Sequence, residues 1–536
     1  MKAFRAHLVA LAAPLLASSA CITSDIERGE PSEDVSEASQ SVLCSEGVPE
    51  KYFRDADGDG HAVSYGTLFC DSPGPGWLEA PGSDCNDNDA SVHPGAVEIA
   101  NDGKDSNCDG AEASACRSVQ IDSGFHFSCA LSAVGNVKCW GYNALGQLGL
   151  GDTVERGVDT GEMGNQLPFV NLGTGKTAKA VSAGGHHACA ILNDNTVKCW
   201  GDNSYYGRGN LGLGDTAHRG DNAGEMGDNL PTVNLGTGKT AKAISAGGDH
   251  NCAILNDDTV KCWGSNADGQ LGLGDTAHRG DNAGEMGDSL PTVNLGTGKT
   301  AKAISAGGSH TCALLNDNTV KCWGDNADGQ LGLGNTSARG DGAGEMGDSL
   351  PAVNLGTGKT AKAISAGYDF TCAILNDDTV KCWGDNIYGQ LGLGDMNTRG
   401  DGADMGDSLP AVQLGSGLTA VAIGAGLDHV CALLTGNKVK CWGNNGYGTL
   451  GQGDIVFRGD GAGEMGDNLP AVDLGFSPTG ISVGAWFACA YSGNQLKCWG
   501  YNFRGQLGLG DRADRGNSAG EMGSALPWVN VGCPGL

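Results

Sequence analysis

Seven pairs of cysteines at a nearly constant interval constrain this chain more than any other feature. The leading members are Cys129, Cys189, Cys252, Cys312, Cys372, Cys431 and Cys489, separated by 60, 63, 60, 60, 59 and 58 residues. Their partners Cys139, Cys199, Cys262, Cys322, Cys382 and Cys441 stand ten residues further on, and Cys498 stands nine after Cys489. A typical copy reads Cys252-Ala-Ile-Leu-Asn-Asp-Asp-Thr-Val-Lys-Cys-Trp263 and runs into the glycine-rich stretch that ends at Gly274. Self-similarity at a period of tens of residues means a repeat architecture.

Within each pair, apolar residues flank a short polar centre, the pattern of a β-hairpin. A three-residue loop centred on Asp257 sets Cys252 opposite Cys262. In the seventh copy the centre shortens to Gly493-Asn494, a two-residue turn of the kind hairpins prefer. Register follows loop length, so the one-residue deletion keeps Cys489 opposite Cys498. The seven pairs are therefore expected as disulfides. Zinc is the competing use of paired cysteines, but its ligands usually stand two to four residues apart, and the chain has no C-x-x-C.

Each unit offers about four short strands: a leading one such as Ala-Lys-Ala-Ile-Ser-Ala-Gly, the two of the hairpin, and a Pro-x-Val segment. Four strands in each of seven units predict an all-β fold, a seven-bladed β-propeller over residues 111–536 with one disulfide per blade. The 92 glycines suit it, because its turns require positive φ. The last unit ends without a following leading strand, and the stretch Cys116 to Gly124 looks like that strand. The N-terminal segment is thus expected to complete the last blade, with Cys116 bonded to Cys533 to fasten the ring.

The signature W-G-x-N-x-x-G-Q-L-G-x-G resembles the repeats of the regulator of chromosome condensation family. The resemblance covers all seven copies and implies seven-bladed rings; it says little about function, since the fold serves inhibitors, light receptors and binding platforms alike.

The copies can also be compared with one another. Two residues before each leading cysteine stand Phe127, His187, His250, His310, Phe370, His429 and Phe487, and a position that alternates His with Phe is expected to fill space. The tryptophans after the second cysteine, from Trp140 to Trp499, are expected to pack between blades. The asparagines of the W-G-x-N motif are expected to hold a turn. Arg219 with Glu225, Arg279 with Glu285, Arg339 with Glu345 and Arg399 with Asp404 read as ion pairs that brace a loop. The recurring Arg-Gly-Asp is read as one copied coincidence. No nucleophile–base constellation or phosphate-binding loop breaks the repeat, so no catalytic residue is assigned. The copies are irregular at Tyr205 to Asn210 and at Ala485-Trp-Phe487.

The region before the repeats is heterogeneous. Residues 1–20 have the charged start (Lys2, Arg5), the short apolar run (Leu8 to Leu16) and the small residues of an export signal. Cys21 resembles the lipid-accepting cysteine of bacterial lipoproteins, although Ser18 departs from that pattern. Lipidation at Cys21 and plain cleavage after Ala20 both remain open, and lipidation would leave an even 20 of the 21 cysteines for pairing. Residues 21–43 read as an acidic disordered tether. Residues 44–110 hold Asp55-Ala-Asp-Gly-Asp-Gly60, the opening of an EF-hand-type calcium loop, but Gly66 stands where the closing glutamate belongs. Further oxygens come from Asp84, Asp87, Asp89, Glu98, Asp102, Asp105 and Asp109, which join Asp55, Asp57 and Asp59 as the candidate metal ligands. Hard oxygen donors select calcium. The ordered motifs D-x-D-G-D-G, D-C-N-D-N-D-A, P-G-A-x-E and D-G-x-D-x-N-C-D-G resemble a metal-binding domain carried by many secreted bacterial proteins. Ala100 stands where that family often has a cysteine, so Cys108 is assigned to Cys44 and Cys70 to Cys85.

The formal charge of −30 opposes binding to nucleic acid or anionic lipid. Together these readings predict an exported monomer, secreted or held at the outer membrane by a lipid. It would be a non-catalytic scaffold that presents propeller loops to a protein or glycan at the cell surface. An enzyme inhibitor of the propeller type is the alternative. A nucleotide-exchange factor fits less well, because cytosolic thiols stay reduced.

Overall fold

The computed structural model describes residues 50–54, 66–69, 77–78, 86, 89, 91–93, 118–204 and 208–532. They fall into two units, each taken by itself. The smaller contains a three-stranded antiparallel sheet with Glu50–Arg54 at its centre, flanked by Gly66–Phe69 and Trp77–Leu78.

The larger unit is the seven-bladed β-propeller, built from seven three-stranded antiparallel sheets. In each, a leading strand pairs with a hairpin; in the second blade these are Ala178–Ala183, His187–Leu192 and Val197–Gly201. The only helices among the described residues are single 3-10 turns. The hairpin register is the one the loop length dictates: Cys252 faces Cys262, and Cys489 faces Cys498 across the two-residue turn. The longer loops place a left-handed residue such as Asp258 (φ 64°) third, as three-residue hairpins do. All seven repeat pairs are disulfides: Cys129–Cys139, Cys189–Cys199, Cys252–Cys262, Cys312–Cys322, Cys372–Cys382, Cys431–Cys441 and Cys489–Cys498.

The fourth strand does not form. The Pro-x-Val segment touches the outer edge of its blade through one backbone bond, Val170 N to Val137 O at 2.8 Å in the first blade. Its proline lacks the N–H that a second ladder bond needs. The ring closure also differs from the sequence expectation. Ser118–Ser123 heads the sheet of the first hairpin, not the last, because every leading strand pairs with the hairpin that follows it in the chain. The C-terminal segment closes the ring instead. Asn530 O accepts from Gly164 N at 2.9 Å, just as Asn171 O accepts from Gly227 N one blade on, and Ser482 Oγ bonds Ser123 Oγ at 2.9 Å. Cys116 and Cys533 lie outside the described residues.

The seams explain the repeated residues. Trp200, fully buried, donates its indole N–H to Gln147 O of the preceding blade at 3.1 Å. A β-carbon on Gly149 would stand 2.8 Å from that indole nitrogen, and Gly149 has φ +67°, so the close approach itself demands glycine. Lys198 is buried with its ammonium on two carbonyls, Leu172 O at 2.9 Å and Gly227 O at 2.7 Å, and burial lowers its pKa. The buried histidines reach into the next blade, His250 Nε2 to Thr311 Oγ1 at 2.8 Å, and burial holds His250 and His310 down at about 3, neutral and structural.

Candidate binding face at the ring axis

Between each leading strand and its hairpin the chain turns beside the axis. Backbone bonds link these turns from blade to blade: Phe125 N to Gly185 O, Gly185 N to Gly247 O, Gly248 N to Gly307 O, and so on to Leu427 N to Ala485 O. Each turn holds two residues at which the copies diverge, the first packed toward the axis and the second partly exposed beside it. The first of the two is Phe125, Gly185, Gly248, Gly308, Tyr368, Leu427 and Ala485 in ring order; the second is His126, His186, Asp249, Ser309, Asp369, Asp428 and Trp486. The W-G-x-N motif brings its variable residue alongside, since Tyr142 N donates to His126 O at 2.8 Å.

The variation is not scattered. Phe125, Leu427 and Ala485 form a buried apolar plug at the axis, with Tyr368 and Trp486 packed on it, so blades one, five, six and seven meet there. Aromatic rings gather over blades six, seven and one. Tyr447 lies 4.6 Å from Tyr501, Trp486 lies 6.0 Å from each of them and 5.4 Å from His126, and Arg504 lies over Tyr142 at 4.8 Å. Phe503, more than half exposed, continues the patch.

The opposite arc is acidic. Asp249 pairs with Arg208 at 2.9 Å, yet burial pushes its carboxyl up to about 6, with Arg208 working against the rise and Asp202 adding to it. Tyr368 is driven well above the usual tyrosine range, first by burial and then by Asp369, Asp249, Asp325 and Asp268 around it. Asp428 is pushed up to about 7 by burial and then by Asp385. Its carboxylate takes no hydrogen bond from any described residue, whereas Asp325 and Asp385 accept from Gln330 and Gln390 at 3.1 and 2.9 Å. On the aromatic side, burial followed by Arg504 lowers His126 to about 4, so it is neutral at physiological pH.

Of the metal ligands expected from sequence, only Asp89 is described. Its carboxylate caps a tight turn, accepting from Ser91 N at 3.2 Å and Ser91 Oγ at 2.6 Å. Asp55, Asp57, Asp59, Asp84, Asp87, Glu98, Asp102, Asp105 and Asp109 lie outside the described residues, as do Cys21 and the pairs Cys70–Cys85 and Cys44–Cys108. Among the described residues, no group of three or more His, Cys, Asp or Glu is placed to hold a metal ion.

The loop arginines take a different partner from the one expected. Arg219 pairs with Asp215, four residues before it, at 2.7 Å, while Glu225 accepts from Gly220 N and Asn222 N at 2.9 and 3.1 Å. The tight Gly220 turn points the guanidinium back along the loop, so arginine and glutamate brace it separately. Arg279 and Arg399 likewise take Asp275 and Asp395. Asn335 replaces the aspartate in the fourth copy, and Arg339 is left with the carbonyls of Ser337 and Ala338. The arginine of each Arg-Gly-Asp thus belongs to its own loop. Sequence reasoning singled out Trp486 as irregular but missed the divergent turn positions, which an alignment of the seven copies would have exposed.

Models of the regulator of chromosome condensation (RCC1) repeat match six and four segments, and together span residues 119–207 and 241–449. A model described as "Putative metal-binding motif" matches residues 84–112. The chain is similar to the ultraviolet-B receptor UVR8 of Arabidopsis thaliana, 28% identical over 406 residues that cover 74% of this chain and 79% of the receptor. It is 26% identical to human E3 ubiquitin-protein ligase HERC2 over 63% of its length, a region that makes up 6% of the ligase. Among solved structures, Prp20p of Saccharomyces cerevisiae superposes with a TM-score of 0.53 at 16% identity, over 75% of this chain and 86% of that one.

Proposed function

This chain belongs to the regulator of chromosome condensation (RCC1) repeat family, and from that premise we propose that it is a non-catalytic binding scaffold whose axial face meets a protein or glycan partner outside the cytoplasm. The carrying observation is where the copies diverge. The disulfide, the buried tryptophan and the lysine on two carbonyls recur in every blade, while the axial turns hold a Phe, a Tyr, a Trp, two His and three Asp at corresponding places. Recognition side chains gathered at one mouth of the ring are what a ligand-binding face requires. Protein recognition is a use of this fold elsewhere, since Prp20p binds Gsp1p and histones.

Two features support the compartment. Seven disulfides, one per blade, are characteristic of proteins in an oxidising environment. The charged and then apolar start at Lys2 to Leu16 fits an export signal, with Cys21 as the residue for a lipid. Residues 44–110 would serve as a calcium-stabilised module between tether and ring; the motif matched at 84–112 is one of metal binding in general.

The test is cross-linking capture at the surface of producing cells, comparing the natural chain with a Trp486→Ala, Tyr501→Ala variant. Captured partners should be lost from the variant. Unchanged capture, or a protein found wholly in the cytosol with free thiols, would overturn the reading.

A further inference from the structure

We propose that the axial face takes a lysine- or arginine-bearing peptide segment of a partner protein, its cationic side chains seated between the aromatic patch of blades six, seven and one and the aspartates of blades three to six. The proposal rests on the scaffold reading and names the chemistry of the ligand.

Charge complementarity is the first argument. Asp249, Asp369 and Asp428 occupy three of the seven second-turn positions, and Asp268, Asp325 and Asp385 stand close enough to act on Tyr368 or Asp428. Arg208 pairs into this arc on Asp249. Burial first, and then the carboxylates around it, hold Tyr368 above its usual range, and a cation arriving there would ease the second of these. Asp428 is the clearest vacancy for a donor: it stands between Asp369 and Trp486 in ring order, half-buried, with no hydrogen-bond donor among the described residues. A carboxylate kept in that state is disfavoured unless something external completes it.

The aromatic half is the second argument. Trp486, Tyr447 and Tyr501 lie within 4.6 to 6.0 Å of one another beside the Asp428 position, and rings presented near carboxylates attract ammonium and guanidinium groups through their faces. The protein already uses this contact with its own side chain, since Arg504 lies over Tyr142 and Phe503 at 4.8 and 5.3 Å. A metal ion is a poorer occupant, because no described set of three or more ligating groups is arranged for one. A neutral glycan could stack on the rings but would leave Asp428 unanswered.

The experiment is calorimetric titration of the full chain at pH 8 with three probes. They are a twelve-residue peptide alternating lysine and serine, its glutamate counterpart, and a neutral hexasaccharide. The lysine peptide should bind, less tightly as salt is raised. Asp369→Asn with Asp428→Asn should weaken it at least about tenfold, as loss of partly desolvated charge partners does. Trp486→Ala should also weaken it. Asp288→Asn with Asp348→Asn, which removes two exposed charges bound to Thr237 and Thr297 on the outer loops, should leave it unchanged. Equal binding of the glutamate peptide, no binding of the lysine peptide, or equal effects of the two double variants would overturn the proposal. Saccharide binding that disappears with Trp486→Ala would also overturn it while leaving the scaffold reading intact. If no probe binds and surface capture is indifferent to Trp486, both fail.

Discussion

Replacing Asp428 by asparagine removes a charge that the fold holds at a cost, so stability should rise, and only in a defined pH range. The carboxyl lies between a buried backbone and Asp385, and burial first, then Asp385, lifts it from 3.8 to about 7. A group whose folded pKa is raised favours the native state while protonated. That contribution is complete below the unfolded value and is lost as pH climbs through the folded one. Asp428 is thus neutral and harmless at pH 4, and is a buried, unpaired charge at pH 8. Three pH units correspond to about 4 kcal/mol. Partial exposure lets water reach the carboxylate, so about 2–3 kcal/mol is the more realistic penalty. Because unfolding entropy scales with length, a body of about four hundred residues should gain about 2–4 °C in Tm. Differential scanning calorimetry of the natural chain and Asp428→Asn at pH 4 and pH 8 reads this directly. The variant should melt higher at pH 8 and equally at pH 4. A uniform shift at both, or none at pH 8, would show that the carboxylate is adequately solvated and that the vacancy at the mouth does not exist.

Three further outcomes follow from the same contacts. Cys252→Ser with Cys262→Ser should lower stability by about 2–3 kcal/mol, the loop-closure value for a ten-residue separation, in denaturant titrations under oxidising conditions; a loss near zero would mean that the seams alone pin the hairpin. Lys198→Met should cost about 2–3 kcal/mol by withdrawing a charged donor from Leu172 O and Gly227 O, and heat denaturation should not distinguish Lys198→Arg from the methionine if only chain volume matters. Removing calcium from the full chain with a chelator should lower a transition belonging to residues 44–110 and leave the propeller transition in place; identical scans with and without chelator would refute calcium as the ion held by the carboxylates from Asp55 to Asp109.

Local, periodic features were legible in the sequence. Cysteine spacing gave register, because a hairpin's facing residues follow from its loop length alone, and the shortened seventh copy tested the rule within one chain. Trp200 and the asparagine of each W-G-x-N motif could be placed because a large aromatic or an amide repeated once per unit has few other uses. Asn203 bears this out, spanning its turn from Asp215 O and Ala217 O to Leu211 N at 2.8, 3.0 and 2.8 Å. What failed depended on direction in space. A Pro-x-Val triplet looks like a strand, but whether a partner edge lies within reach of its single free N–H is a property of the assembled blade. Arg219 pairs with Asp215, and not with Glu225, where the chain turns at Gly220 (φ 90°) between Arg219 and Glu225 and Glu225 caps that turn's N–H groups. The ring's phase was hidden for a related reason: seven like units on a circle can be cut anywhere, and only the pairing of Ser118–Ser123 with its own hairpin shows where the chain made the cut.

The division of labour between seam and mouth bears on how such a chain can acquire a ligand. In each blade the disulfide, the buried tryptophan and the lysine on two carbonyls lie away from the axial turn, and the turns are joined to one another through backbone atoms. Backbone bonds are indifferent to the side chain, so Gly185, Tyr368 and Leu427 each donate their N–H to a carbonyl of the next turn. Substitution at those places therefore changes what the mouth presents without disturbing what holds the ring, and contributions from sites that share no partner are close to additive. Tyr368 marks the limit. A β-carbon on Gly308 would stand 2.7 Å from its ring, so the turn before Tyr368 requires glycine. That contact is a packing constraint on the first turn position, and it leaves the second turn position, from His126 round to Trp486, as the one free to specify a partner.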